Sequence, residues 1–325
     1  MSKPHFRGTL PSAATPEWQF EFVRLAINTL TFCVVALLGL GMVMLISAST
    51  GQPKAHYLVM QPIWSLIGLV ACGLAAAGDY RWLKKYSWSL WGFFAVVLLL
   101  LAATLVPGLG SRANGASRWL KWGPMTLQPS ELAKVALVLV LAWYGDRCQR
   151  WMPAFWRGLV IPGLMVAPVL VLVFFEPDVG TTVLLAVTSG VVLFMAGTRL
   201  RFLFPLLVAG VAGLAVFILN NPMRLRRVLA FLHPDQNKEE AGYQTFQAII
   251  AIGSGGLTGL GLGDGRQKLG FVPEHHTDFI LSVIGEELGL IATLSVVVAF
   301  VLIVICGLYI AWHARDTLAC CSARG

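Results

Sequence analysis

Charge is what this 325-residue chain has least of: Asp, Glu, Lys and Arg make up 12% of it, against about 25% in an ordinary soluble domain. That scarcity, with 57% hydrophobic residues and a mean hydropathy of +0.74, excludes a water-soluble globule. No CxxC pair occurs among the six cysteines (Cys33, Cys72, Cys148, Cys306, Cys320, Cys321), most of which lie in or beside apolar runs. The pattern argues against a disulfide framework and against a structural zinc site. Internal repeats and low-complexity linkers are missing too, so the chain reads as one domain. Its glycine-rich stretch is no nucleotide loop: no strand precedes it, and "GRQK" lacks the Gly-Lys-Ser/Thr of a phosphate-binding loop.

What the chain does have is one apolar run after another. Runs of about 18 residues or more can cross a hydrocarbon core, and lipid leaves the backbone no partner except its own helix. The expected fold is therefore all-α, a polytopic helical membrane protein. Eight spans are expected, at about 25–46, 59–77, 87–106, 130–145, 158–175, 179–197, 202–219 and 288–311. The first run exceeds the ~7–15-residue core of a cleaved signal peptide, and further spans follow, so it is expected to remain as a span.

The net charge of +8 decides little by itself, because membrane proteins favour Lys and Arg on their cytoplasmic side. Position says more. Lys3, Arg7 and Arg24, then the linkers 79–85, 145–158 and 198–201, are basic and precede or follow every second span. They place the N-terminus in the cytoplasm. Two outer loops break the pattern. The loop at about 107–129 carries Arg112, Arg118 and Lys121; that at about 221–287 carries Arg224, Arg226, Arg227, Lys238, Arg266 and Lys268. Either these charges are incidental, since long loops partly escape the rule, or they line a vestibule for an anionic head group such as a pyrophosphate.

Four stretches carry polar chemistry. "MTLQPSELAKVAL" (125–137) opens the fourth expected span with Pro129 and Ser130, good helix-start residues. Glu131 and Lys134 stand three apart and can pair on one face, either as a neutralised helix entrance or as the lining of a cavity. In "FFEPDVGTTVLL" (174–185), Pro177 breaks one helix and Asp178 can cap the next. Glu176 has no such local task and is expected to face the vestibule. The third stretch follows a short interfacial helix over 243–252 and holds seven glycines between 253 and 265. These would let the backbone fold tightly against head groups or neighbouring helices.

The fourth stretch, "GFVPEHHTDFILSVIGEELG" (270–289), sets ionisable residues at the mouth of an apolar run. As one helix the run 279–312 would be ~50 Å long, too long for a ~30 Å core. The span is therefore expected to start near Leu288, with a helical stretch over 278–287 standing above the membrane. Asp278, after Thr277 as a cap, could serve the helix end. Together with Glu274, His275 and His276 it could bind a metal, though the spacing fits no standard motif. It could also act as a general base towards a polar substrate anchored in lipid.

Six motifs recur in order along most of the chain: "GLGMVMLISAS", "SRWLKWGPMTLQPSELAK", "FEPDVGTT", "RLRRVLAFLHP", "GYQTFQAIIAIGSGGLTGLGLG" and "VPEHHTDFILSVIGEELG". In these the chain resembles the SEDS family (shape, elongation, division and sporulation), bacterial membrane glycosyltransferases that polymerise lipid II. "GLGDGRQKLGFVPE" resembles the division branch more than the elongation branch. The resemblance implies that Asp278 is the catalytic aspartate. It further implies that Arg112, Arg118, Lys121, Arg226 and Arg227 are candidates for the pyrophosphate. Gln128, Ser130, Glu131, Lys134, Glu176 and His276, in or beside the matching motifs, are further substrate-binding candidates. No protein-bound metal is expected, although a divalent cation such as Mg2+ could share the pyrophosphate.

The implied partners are lipid II and the growing glycan strand, a class B penicillin-binding protein (a transpeptidase), other division proteins and membrane lipid, with no nucleic acid. The implied place is the bacterial cytoplasmic membrane at the division septum, with the 221–287 loop outside. Transport of lipid II across the bilayer, or recruitment and activation of the transpeptidase, are the alternative functions. The family has ten spans and this chain only eight. Its ending "ARDTLACCSARG" (314–325) is atypical for a loop between spans. One codon set for Thr317 to Ala323, read two bases later, encodes an apolar continuation, so a frameshift or premature stop is expected.

Overall fold

The computed structural model describes residues 17–49, 55–78, 86–107, 109–113, 116–122, 125–232, 243–265 and 279–313. Apolar composition makes most of them helix. In chain order the elements are α1 (Glu17–Ser49), α2 (Ala55–Ala77), α3 (Ser87–Leu105), β1 (Gly110–Ala113), β2 (Ala116–Trp122), β3 (Met125–Leu127) and α4 (Pro129–Arg147). After a 3-10 turn (Gln149–Trp151) and a π-helical turn (Trp156–Val160) come α5 (Ile161–Phe175), α6 (Val179–Met195), α7 (Leu200–Leu219), α8 (Pro222–Leu232), α9 (Tyr243–Ser254) and α10 (Ile280–Trp312).

Among the described helices, six are long and apolar enough to cross a membrane: Glu21–Ala48, Leu58–Ala77, Ser87–Leu105, Trp156–Phe175, Leu200–Leu219 and Ile280–Trp312. The eight expected spans therefore include two that fall short by this measure. α6 is apolar but only 17 residues long. α4 begins with Glu131 and Lys134 and ends with Asp146 and Arg147, so charge at both ends dilutes its hydropathy. The architecture is that of a multi-pass helical membrane protein.

Two packed bodies account for the interior. Leu90, Phe94, Val97 and Leu101 line one face of α3 at helical spacing and meet Ala133, Ala136, Leu137, Val140 and Leu141 of α4. Val166, Val169 and Val173 of α5, with Leu185, Val192 and Leu193 of α6, complete this cluster. Small residues bring the backbones together, as they must where lipid supplies no hydrophobic drive. A Cβ on Gly145 would stand 2.6 Å from the Ala196 methyl group. The second body joins α1 to α10 through Met44, Val283, Ile284 and Val296, with α9 also against α10. Outside these contacts the surface is apolar: Phe32, Leu74, Leu99, Phe204 and Val304 are all more than half exposed. α7 has no buried residue at all. In water such a surface would be untenable; in hydrocarbon it is the expected one.

The loop at about 107–129, read from sequence only for its basic residues, forms a three-stranded antiparallel meander, β1-β2-β3. Gly110 pairs with Leu120 and Ala113 with Ala116 across the first hairpin; Leu120 pairs with Leu127 and Trp122 with Met125 across the second. Two residues separate the strands in each case, Asn114–Gly115 and Gly123–Pro124. Asn-Gly is the strongest short hairpin signal a sequence carries.

Candidate active site

The α5–α6 turn is the first polar centre. Asp178 caps α6: its Oδ1 accepts from the Thr181 backbone N–H at 3.1 Å and its Oδ2 from the Thr181 hydroxyl at 2.8 Å. This satisfies an otherwise orphaned helix donor. Arg118, projecting from β2, reaches the same turn. Its Nε is 3.5 Å from Asp178 Oδ2, and its Nη2 donates to the Pro177 carbonyl at 3.4 Å. Arg118 therefore locks the meander to the turn.

Glu176 differs from expectation. Rather than facing a vestibule it is fully buried, because the turn folds its side chain back onto α3. There its Oε1 lies 2.5 Å from the Thr104 hydroxyl, which is also 2.6 Å from the Leu101 carbonyl. One hydroxyl proton cannot serve two acceptors. The arrangement closes if Glu176 carries a proton and donates to Thr104, which donates onward to Leu101. Burial favours that proton: it is the largest cause pushing the carboxyl up from 4.5 to about 7, with Asp178 adding, whereas Thr104, when its hydroxyl donates to the carboxylate instead, and Arg118 oppose. Between about pH 4.5 and 7 the folded chain thus holds a proton that the unfolded chain has released. Stability is expected to fall as pH rises through that window, by up to ~3 kcal/mol, and to level off above it. Melting curves in detergent at pH 5, 6, 7 and 8 would show this slope in the wild type and a flat profile in Glu176→Gln. A wild type as flat as the variant would refute the buried proton.

At the mouth of α4 the Glu131–Lys134 pair forms as spaced, with Lys134 Nζ 2.6 Å from Glu131 Oε2. Pro129 takes the first helical turn, Gln128 donates to the Ser130 hydroxyl at 3.0 Å, and Ser130 is fully buried. Both members of the ion pair are part exposed, so the pair adds only ~0.3–0.5 kcal/mol. Lys134→Met is expected to lower stability by no more than that. A much larger fall in activity at unchanged melting temperature would show that Lys134 meets substrate; equal small losses in both would reduce it to a surface pair.

The third centre is where the glycine-rich segment meets α10. The helix breaks at Gly289, whose φ is +79°, one residue past the Leu288 at which the span was expected to begin. The break frees backbone groups that the glycine segment takes up. Leu260 and Gly261 donate to the Glu286 and Glu287 carbonyls at 2.9 and 3.0 Å, and Leu290 and Ile291 donate to Gly256 and Leu257 at 3.0 and 3.3 Å. Glu286 and Glu287 are each 1% exposed. Glu287 Oε2 accepts from the Ser47 hydroxyl of α1 at 2.5 Å and from the Gly263 N–H at 3.1 Å.

Asp278 and His276, with Glu274, His275 and Thr277, lie outside the described residues, as do the side chains of Arg112, Lys121 and Arg227. Arg226 is exposed on α8. Of the remaining candidates, Arg118 and Glu176 share the α5–α6 turn, while Gln128, Ser130, Glu131 and Lys134 cluster at the start of α4. Thr104, Ser47, Glu286 and Glu287 were not among the candidates. "GEELG" had marked the last two as interfacial, but only the third dimension shows what they hold. Among the described residues no group of three or more His, Cys, Asp or Glu is placed to hold a metal.

Comparison with known proteins gives the site its context. The model of the FtsW, RodA and SpoVE family, described as cell cycle proteins, matches residues 28–324. The probable peptidoglycan glycosyltransferase FtsW of Geobacter metallireducens is 38% identical over 288 residues, covering 87% of this chain and 76% of that protein. The FtsW of Legionella pneumophila, named the same way, is 38% identical over 288 residues, covering 86% and 72%. Among solved structures, the rod shape determining protein RodA of Thermus thermophilus superposes with a TM-score of 0.64 at 26% identity, over 91% of this chain and 78% of that one. A chain from a peptidoglycan synthase complex, solved for its coordination of polymerization and crosslinking, gives 0.70 at 25% identity, over 91% and 81%. With nearly the whole chain matched and relatives of this identity covering most of their own length, this chain belongs to the FtsW, RodA and SpoVE family of cell cycle proteins.

Proposed function

We infer that this chain is a peptidoglycan glycosyltransferase of the division branch, the activity for which its FtsW relatives are named. The observation that carries this is the continuous match to those relatives across 85–87% of the chain. The reaction read here joins lipid II units into glycan. The 4-hydroxyl of the acceptor N-acetylglucosamine attacks C1 of the donor N-acetylmuramic acid, and undecaprenyl pyrophosphate departs. Asp278 is the proposed base that takes the hydroxyl proton.

A glycosidase needs a second carboxyl as acid because its leaving group is a poor alkoxide. Pyrophosphate leaves as a stable anion and needs cations instead. One carboxylate beside a basic outer face suits that chemistry. Arg112, Arg118, Lys121, Arg226 and Arg227 supply the cations in this reading. Arg118 comes to the task already oriented by Asp178 and Pro177.

The arrangement of buried charge favours polymerisation over transport. Among the described residues the buried carboxyl side chains are Glu176, Asp178, Glu286 and Glu287. They gather at the α5–α6 turn and the first third of α10, whereas a transporter needs polar groups strung along its spans. Arg147, Arg157 and Arg201 stand over Trp143, Trp151 and Phe202 in or beside the basic linkers, and Arg224 stands over Phe217 at the other end of α7. The basic linkers 145–158 and 198–201, not the aromatic contacts, support a cytoplasmic N-terminus and an outer-facing active loop. The proposed partner is a class B transpeptidase, and the proposed place is the septum of the cytoplasmic membrane.

The deciding experiment supplies lipid II to the purified chain with its transpeptidase and follows glycan length on a gel. In parallel, lipid II movement across chain-containing vesicles is measured. Glycan product supports the reading; translocation without glycan would replace it with transport.

A further inference from the structure

We propose that Glu287 is a positioning residue for glycosyl transfer: by holding Ser47 of α1 and the Gly263 N–H together, it fixes where the chain departs towards Asp278. The proposal rests on Asp278 as the base. Sequence connectivity does the first part of the work. The chain leaves the glycine-rich segment at Gly265 and re-enters described structure at Phe279, the cap of α10, so the thirteen residues 266–278 are tethered at both ends. Both tethers lie against one helix. Phe279 begins α10, and Gly265 sits so close to its second and third turns that a Cβ there would stand 2.9 Å from Glu287 Oε1 and 3.0 Å from Glu286 Oε2. Eight residues of helix separate Phe279 from Glu287, or ~12 Å.

Glu287 adds polar ties to the apolar packing of α10 on α1. It reaches Ser47 across 240 residues of sequence and Gly263 across 24. Its carboxyl group is buried, where water cannot take over either bond. A leucine would fill similar space at lower desolvation cost, but it would remove the oxygen that accepts from the Gly263 N–H and the Ser47 hydroxyl. The backbone bonds from Leu260 and Gly261 bring the segment to α10; the carboxylate then sets the direction of its last residues and registers the whole unit against α1. Reacting groups displaced by an ångström lose most of their rate, so such a clamp acts on turnover rather than on affinity.

The test measures lipid II polymerisation by the full chain with its transpeptidase, resolving kcat from KM. Glu287→Ala is expected to lower kcat between about 10- and 100-fold with KM little changed. Glu287→Gln keeps an oxygen for both donors and should recover kcat to within about threefold of wild type. Ser47→Ala should move kcat the same way, and the Ser47→Ala/Glu287→Ala double variant should be no worse than Glu287→Ala alone. Ser295→Ala, whose hydroxyl bonds only within an exposed turn of the same helix, controls for mutation of α10. Wild-type kcat in Glu287→Ala overturns the proposal, as does a loss that merely follows the folded fraction on size-exclusion chromatography. If Glu287→Ala does not fold, unchanged kcat in Ser47→Ala overturns it alone. Asp278→Asn in the same assay separates the two ideas. Full activity there removes the base and the clamp together; an inactive Asp278→Asn beside normal Ser47→Ala and Glu287→Ala removes only the clamp.

Discussion

An Asp278→Asn chain is expected to fold and bind lipid II normally yet polymerise it about 10²- to 10⁴-fold more slowly, the usual worth of a positioned general base. Asparagine matches aspartate in size and caps helices as well as aspartate does. If position 278 served only the start of α10, the substitution would cost little stability and little activity. If the carboxylate accepts the sugar proton, the amide cannot replace it, and rate is lost without loss of fold. Glycan yield and melting temperature measured on the same preparation therefore part the two roles. Near-normal strands from a normally melting variant would end the base assignment. The absence of any need for a second carboxyl sharpens the expectation, because no other acid is called on to compensate as pyrophosphate leaves.

The second large effect concerns packing. Gly259→Ala is expected to destabilise the chain by roughly 3–5 kcal/mol, in the range reserved for buried backbone clashes. The backbone at Gly259 has φ +83°, and a Cβ there would lie 2.2 Å from the Glu287 carbonyl oxygen and 2.5 Å from its carbon. That oxygen cannot retreat without breaking the 3.0 Å bond it accepts from Gly261. The left-handed conformation alone accounts for about 1–2 kcal/mol, and the clash supplies the remainder. Two neighbours make the comparison internal. Gly256 has φ +55° but open space around its would-be Cβ, so Gly256→Ala should show only the conformational part. Gly253 lies in α9 with open space and no positive φ, so Gly253→Ala should be neutral or slightly stabilising. Thermal unfolding in detergent that ranks the three variants otherwise would show that the segment does not pack on α10 through its glycines.

The series also shows which features could be read from sequence and which could not. The apolar runs declared their helices because hydropathy is a local property of composition. The Glu131–Lys134 pair and the Asp178 cap were equally open to inspection, since both connect residues three apart. The length of the run 279–312 suggested that the span begins near Leu288, but not that the helix is interrupted at Gly289. The meander over 110–127 was missed, although Asn114–Gly115 pointed to a hairpin; its strands are short and half polar, and pairing shows only when neighbours are known. Glu176 was misplaced for a related reason. Its partner Thr104 lies 72 residues away, and no local pattern says that a carboxyl in the α5–α6 turn will fold inward onto α3.

Composition, charge placement and motif order were enough to determine the class of protein, the helices it would build and the family chemistry it would carry, because each depends on residues near in sequence or on lipid as the surrounding solvent. Tertiary structure alone decided that a carboxylate on the last helix reaches the first across 240 residues, that Gly255, Gly259 and Gly265 close onto a broken helix, and that an arginine in a strand holds the α5–α6 turn. Those contacts join segments far apart along the chain, and burial and direction, which set their strength, exist only once the helices have packed.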